Sequence, residues 1–123
     1  MKKVSFDFDG TLEFKDVQDY AKELVERGIE VWIVTTRYED LSQYSFYATH
    51  DDLYEALEYT GIQREHVHFN NMEYKYSFFK DNNFLFHLDD NPDEKSLLTH
   101  TTNTPCILYG YVGWKEKCEN LLK

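Results

Sequence analysis

Asp7-Phe8-Asp9-Gly10-Thr11-Leu12 is the string in this chain whose residue types and spacing best suit a reaction. Residues 4–9 read as a short strand that ends in carboxylates, and side chains at i and i+2 of a strand point the same way. Asp7 and Asp9 are therefore expected to face one site. A charge is costly inside a packed core, so two acids at a strand terminus mark an edge where the sheet meets solvent. Gly10 permits a sharp turn there, and Thr11 offers a hydroxyl and an amide to an anion. Neighbouring carboxylates repel unless a cation or a shared proton lies between them, and a hard cation such as Mg2+ is the simplest answer. The plain alternative is a solvated Asp-Gly turn.

Two further apolar runs end in polar residues. Val31-Trp32-Ile33-Val34 leads into Thr35, Thr36 and Arg37, and residues 84–88 lead into Asp89 and Asp90. In a doubly wound parallel sheet, ligands bind outside the carboxyl ends of strands. Asp7 and Asp9, Thr35, and Asp89 and Asp90 would thus converge on one edge, which suits a cation-assisted phosphate site.

The elements that must position these residues alternate between strand and helix, the pattern of an α/β fold with a parallel sheet covered by helices. Val17, Tyr20, Ala21, Leu24 and Val25 repeat at helical spacing, with Asp16 as a plausible N-cap and Gly28 just past the end. Residues 31–34 form a continuous apolar run, as in a strand buried on both faces. A helix over 51–60 stops at Gly61, and residues 67–69 give a third strand. A helix over 73–81 leads to the fourth strand, 84–88. Pro92 suits the first turn of another helix, 106–109 give a fifth strand, and Trp114, Cys118, Leu121 and Leu122 stripe a final helix. The segment 37–51 fits neither period. Its Tyr38, Tyr44, Phe46, Tyr47 and His50 read first as aromatics packed on the body, and second as a platform that stacks a base or sugar.

At 123 residues the expectation is one domain with one core. No stretch approaches the roughly 20 apolar residues of a membrane helix. The first strand begins almost at once, which leaves no room for a signal peptide. Cys106 and Cys118 make no C-x-x-C pair and no disulfide framework, so buried thiols in a reducing cytoplasm are expected. A net charge of -10 argues against extended nucleic-acid binding, which needs clustered Lys and Arg. His87, inside an apolar run, reads as a hydrogen-bonded core histidine. His66 and His68 have metal-capable spacing but lack the further ligands that zinc takes. Asp93 and Glu94 suit the N-terminus of their helix through its dipole.

The string DFDGTL resembles the first motif of the haloacid dehalogenase superfamily of phosphohydrolases, and later landmarks follow in order over nearly the whole chain. Residues 31–37 resemble its second motif, Lys75 its lysine, and residues 84–91 its paired-aspartate motif. The resemblance implies that Asp7 is the nucleophile, forming an aspartyl-phosphate, and that Asp9 is the general acid and base. It implies Mg2+ held by the Asp7 carboxylate, the Asp9 main-chain carbonyl and the acids Asp89 and Asp90, with Asp90 direct and Asp89 through water. Thr35 and the amides of Gly10 and Thr11 would bind phosphoryl oxygens, with Thr36 beside them. Arg37 would contact the phosphate or leaving group, or else make a structural ion pair. Lys75 is preferred to Lys80 by geometry: a helix after a parallel strand starts at the carboxyl edge, and Lys80 lies about 7.5 Å further along.

Too few residues separate Leu12 from the first helix to hold an inserted cap, and 37–71 holds no large one. The resemblance therefore implies an open site, serving a phosphorylated macromolecule or covered by a partner subunit in a homo-oligomer. The layout also resembles the phosphatase domain of phage-type polynucleotide kinase-phosphatases, which implies a terminal nucleotide phosphate as substrate, although Asp-rich capless sites also process small phosphates and the substrate stays open. The rival expectation is a phosphate-binding or regulatory module that keeps the fold without catalysis.

Overall fold

The structure, a computed structural model, describes residues 1–43 and 48–123. Five parallel strands, β1 (Lys3–Phe6), β2 (Glu30–Thr35), β3 (Val67–Phe69), β4 (His87–Asp89) and β5 (Cys106–Leu108), form one sheet in the order β3-β2-β1-β4-β5. The helices are α1 (Lys15–Glu26), α2 (Asp51–Thr60), α3 (Tyr76–Phe79), α4 (Pro92–Thr101) and α5 (Trp114–Leu122). The expected α/β class, with a single parallel sheet flanked by helices, is what the chain adopts, and among the described residues no sizeable cap is present. Among the described residues no helix is long and apolar enough to cross a membrane.

Strand alternation divides the interior into two unequal halves. Val4, Phe6 and Phe8 join Val31, Ile33, Phe86 and Leu88 in the larger core, which buries Val17, Tyr20, Ala21 and Leu24 of α1, Leu53 and Ala56 of α2, and Cys118 and Leu122 of α5. The opposite face holds a smaller core of Val34, Phe79, Phe84, Leu98 and Cys106. Its remaining space is taken by polar side chains, because Ser5 and His87 alternate with the apolar residues of β1 and β4 and are fully buried.

Several boundaries differ from the sequence reading. β1 ends at Phe6, and residues Phe8–Leu12 form a tight turn, so Asp9 does not continue the strand. The helix expected over 73–81 is only the single turn Tyr76–Phe79. β4 is paired over His87–Asp89 rather than 84–88, although along that approach the Leu85 amide donates to the Lys3 carbonyl and the Ser5 amide to the Phe86 carbonyl. Phe14, not Asp16, occupies the N-cap of α1. Gly28 and Gly61 do lie just beyond α1 and α2, at φ +80° and +83°. The expectations for Tyr44, Phe46 and Tyr47 fall outside the described residues.

Candidate active site

β1 runs between β2 and β4, so its carboxyl end is flanked by both neighbours' ends. The Asp7 amide donates to the Leu88 carbonyl at 2.8 Å, which holds Asp7 beside the end of β4. One carboxylate oxygen from each of Asp7, Asp89 and Asp90 lies within 4.8 Å of the others. Asp7 and Asp89 are buried and Asp90 is exposed. They line a cleft of about 390 Å3 together with Asp9, Thr36, Lys75, Asn91 and Glu94. A cavity of similar size, about 370 Å3, lies elsewhere on the fold, among Val25, Ile29, Ile62 and Gln63, and holds no comparable cluster of charges.

Lys75 reaches this cluster from the loop after β3. Asn70 shapes that loop by donating its side-chain amide to the carbonyls of Glu73 and Tyr74, at 2.8 and 2.9 Å. Asn71 and Met72 adopt left-handed φ of 52° and 66°, and the Met72 amide donates to Thr36. The Lys75 amide donates to the Glu94 carboxylate at 3.1 Å, joining the loop to α4. Its ammonium, 1% exposed as a residue, donates to Asp7 Oδ1 at 2.7 Å and Asp89 Oδ2 at 2.5 Å. Lys80 is exposed.

Asp89 accepts three donors. Besides Lys75, His87 Nε2 donates to Oδ2 at 2.8 Å and the Asn91 amide donates to Oδ1 at 3.0 Å. Burial alone would raise its pKa, but the His87 N–H and the Lys75 charge hold the carboxyl well below the usual range. Asp7 shifts the other way. Burial raises it most, Lys75 opposes this, and the nearby Asp89 charge and a hydrogen bond with Asp90 raise it further. Lys75 is held charged because Asp7 and Asp89 outweigh its own burial. Burial also lowers His87 to about 4, so the ring is neutral at pH 7.

Three carboxyl groups face one ammonium here, and with all three ionised they leave a surplus of two negative charges. That surplus and the all-oxygen donor set fit a hard divalent cation such as Mg2+. Asp89 is already occupied by its three donors, which leaves Asp7 Oδ2 and Asp90 as the freer oxygens. Gly10 makes the approach of Asp90 feasible. At its φ of +80° an added Cβ would lie 2.3 Å from Asp90 Oδ2.

The other expected site residues are placed less simply. Asp9 was expected to face the same way as Asp7, and it does not. Its exposed carboxylate is gripped by Arg37, with Nε donating at 2.9 Å and Nη2 at 2.7 Å. The i, i+2 argument fails because the strand ends before Asp9. Arg37 also forks onto Asp52 at 3.0 and 2.8 Å, so the structural ion pair is the contact present. Thr35 is fully buried and its hydroxyl accepts from the Arg37 amide at 3.2 Å, whereas Thr36 lines the cleft. The Thr11 hydroxyl lies 3.4 Å from both Asp7 Oδ2 and Asp90 Oδ1, and the Gly10 amide donates to Glu13. His66 stacks on Trp32 and His68 on Phe78, with His68 also bonded to Asn70.

Sequence reasoning missed Ser5, Asn70 and Glu94. For Ser5 a signal exists: Ser5-x-Asp7 and His87-x-Asp89 set polar residues two apart in otherwise apolar strands, on one face. Beyond Asp9, Thr36 and Arg37 a second hollow of about 390 Å3 continues, lined by Leu41, Ala48, Thr49 and Met72. Comparison with protein-family models and with curated proteins finds no match for this chain.

Proposed function

We propose that the chain is a Mg2+-dependent phosphomonoester phosphatase of the haloacid dehalogenase type, working through an aspartyl-phosphate on Asp7. The observation that carries this reading is the buried Asp7–Lys75–Asp89 arrangement with Asp90 beside it, at the carboxyl edge of a parallel sheet. Asp7, Asp90, the Asp9 carbonyl and, through water, Asp89 would hold the cation, which when bound offsets charge between carboxylate and phosphate. Asp7 attacks phosphorus and the ester oxygen leaves. Asp9 protonates that oxygen and then takes a proton from the water that releases phosphate. For this Asp9 must leave the Arg37 fork, which then remains at Asp52 and faces the leaving-group hollow. Lys75 keeps Asp7 oriented and offsets charge on the phosphoryl group, and Thr36 and the turn amides bind its oxygens, for which the Gly10 amide must leave Glu13.

The open cleft and adjoining hollow suit a phosphate on a larger leaving group, such as a nucleotide or a nucleic-acid terminus, without a long nucleic-acid track. A homo-oligomer covering the cleft belongs to the same reading, as does a cytoplasmic setting. A second reading, a phosphate-binding module without catalysis, draws on the Arg37 fork, which holds Asp9 away from Asp7. Phosphate release from an aryl phosphate decides between them. Turnover that requires Mg2+ and vanishes in Asp7→Asn supports the phosphatase, and phosphate binding without turnover supports the module.

A further inference from the structure

We infer that His87, backed by Ser5, is a positioning residue that divides the Lys75 ammonium between Asp89 and Asp7; the reaction it serves rests on the phosphatase reading. Ser5 and His87 lie on the face of the smaller apolar core, and both are fully buried. Buried polar groups persist where they are bonded, and these two are bonded in one direction. Asp89 already accepts from the Lys75 ammonium and the Asn91 amide, and a carboxylate so placed only accepts, so His87 Nε2 carries the hydrogen it shares at 2.8 Å. In the tautomer with its hydrogen on Nε2, Nδ1 is the acceptor, and the Ser5 hydroxyl lies 2.8 Å away to donate to it. The Phe79 ring, 4.9 Å from the imidazole, packs against it.

The resulting chain runs from Ser5 through His87 to Asp89 Oδ2, which also accepts from Lys75, whose other bond goes to Asp7. Both His87 and Lys75 donate to the same oxygen of Asp89. The imidazole N–H therefore takes part of the charge density that would otherwise draw the ammonium wholly to Asp89. Lys75 stays shared with the nucleophile. A core histidine that only filled space would need neither this tautomer nor this oxygen.

The test uses the full chain in three forms: wild type, His87→Leu, which fills space without a donor, and His87→Gln, whose amide can donate to Asp89. In His87→Leu, kcat on an aryl phosphate at saturating Mg2+ should fall about 10- to 100-fold, the usual cost of losing such a supporting bond. KM should move little, and His87→Gln should recover most of the loss. The 1H–15N signal of the Lys75 ammonium, read without any substrate, should shift in His87→Leu and stay near wild type in His87→Gln. Equal losses in both folded variants, or an unmoved Lys75 signal in folded His87→Leu, would overturn the proposal. Should a variant fail to fold, the wild-type imidazole 15N shifts decide: Nε2–H supports it and Nδ1–H overturns it. A wild type without turnover sinks the phosphatase reading, while the Lys75 and imidazole signals still judge the positioning role.

Discussion

The two acids of the first motif differ in surroundings more than their spacing suggests. Asp7 is enclosed against Lys75, while Asp9 stands in solvent against Arg37. Asp7→Asn should therefore abolish both phosphoenzyme and turnover. Asp9→Asn should depress alkyl phosphates far more than activated aryl esters, because only the former need a proton on the leaving oxygen. Equal losses across a leaving-group series would refute the division of roles. Asp7 also links the site to pH. Its pKa is raised in the fold, so the stability it contributes is complete below the ordinary 3.8 and is lost as pH rises through its folded value. Asp89 has the opposite sign, contributing above 3.8 and losing that contribution as pH falls through its folded value. A cation placed among these groups competes with the Asp7 proton. Mg2+ binding should release protons under acidic conditions, and its affinity should rise with pH until Asp7 is fully ionised. Calorimetry in buffers of different ionisation enthalpy measures this, and proton-neutral binding throughout would contradict it.

Elements carry these groups by devices of uneven visibility in sequence. The apolar run of β2, the short strand β3, the α1 stripe and the stop at Gly61 are local patterns, and the structure follows them. The facing of Asp9 was not legible, since period-two alternation holds only while a strand continues. The shortness of α3 was hidden for a similar reason: Asn70 ties up the carbonyls of Glu73 and Tyr74. That side-chain bond depends on the fold of the loop, and no helical periodicity reports it. Lys75 was legible from the edge at which its segment starts, whereas its anchor Glu94 was read as a helix-dipole residue and is in fact buried. The turn after β1 offers a sharp test of element geometry. Gly10→Ala adds a Cβ at a left-handed φ, costing about 1–2 kcal/mol in backbone strain. It also pushes Asp90 away from Asp7, so Mg2+ affinity should fall by more than the stability change alone predicts. A melting curve beside a Mg2+ titration separates the two, and unchanged affinity would remove Asp90 from the cation's ligands.

At the scale of the molecule, the larger core on one face leaves the other face room for a polar chain ending at the cleft. Substrate choice belongs to the rim. Should Tyr44 or Tyr47 stack on a base, Tyr44→Ala or Tyr47→Ala costs about 1–3 kcal/mol in nucleotide binding and spares a small aryl phosphate. Packing aromatics would instead lower the melting temperature and leave relative preference untouched, and kinetics on both substrates tell these apart. The sheet order has a kinetic consequence as well. Asp7 follows β1, and its acidic neighbours Asp89 and Asp90 end and follow β4, a strand that pairs with β1 across most of the chain, as Ser5 opposite His87. Bringing such distant segments together is slow, because the intervening chain must first surrender its loop entropy. On the proposed reading, the carboxylates that would hold the cation come together only when the central pairing closes, so an early, locally folded species would not bind it. Mg2+ should leave the refolding rate nearly unchanged and slow unfolding, an asymmetry visible in the two limbs of a denaturant chevron.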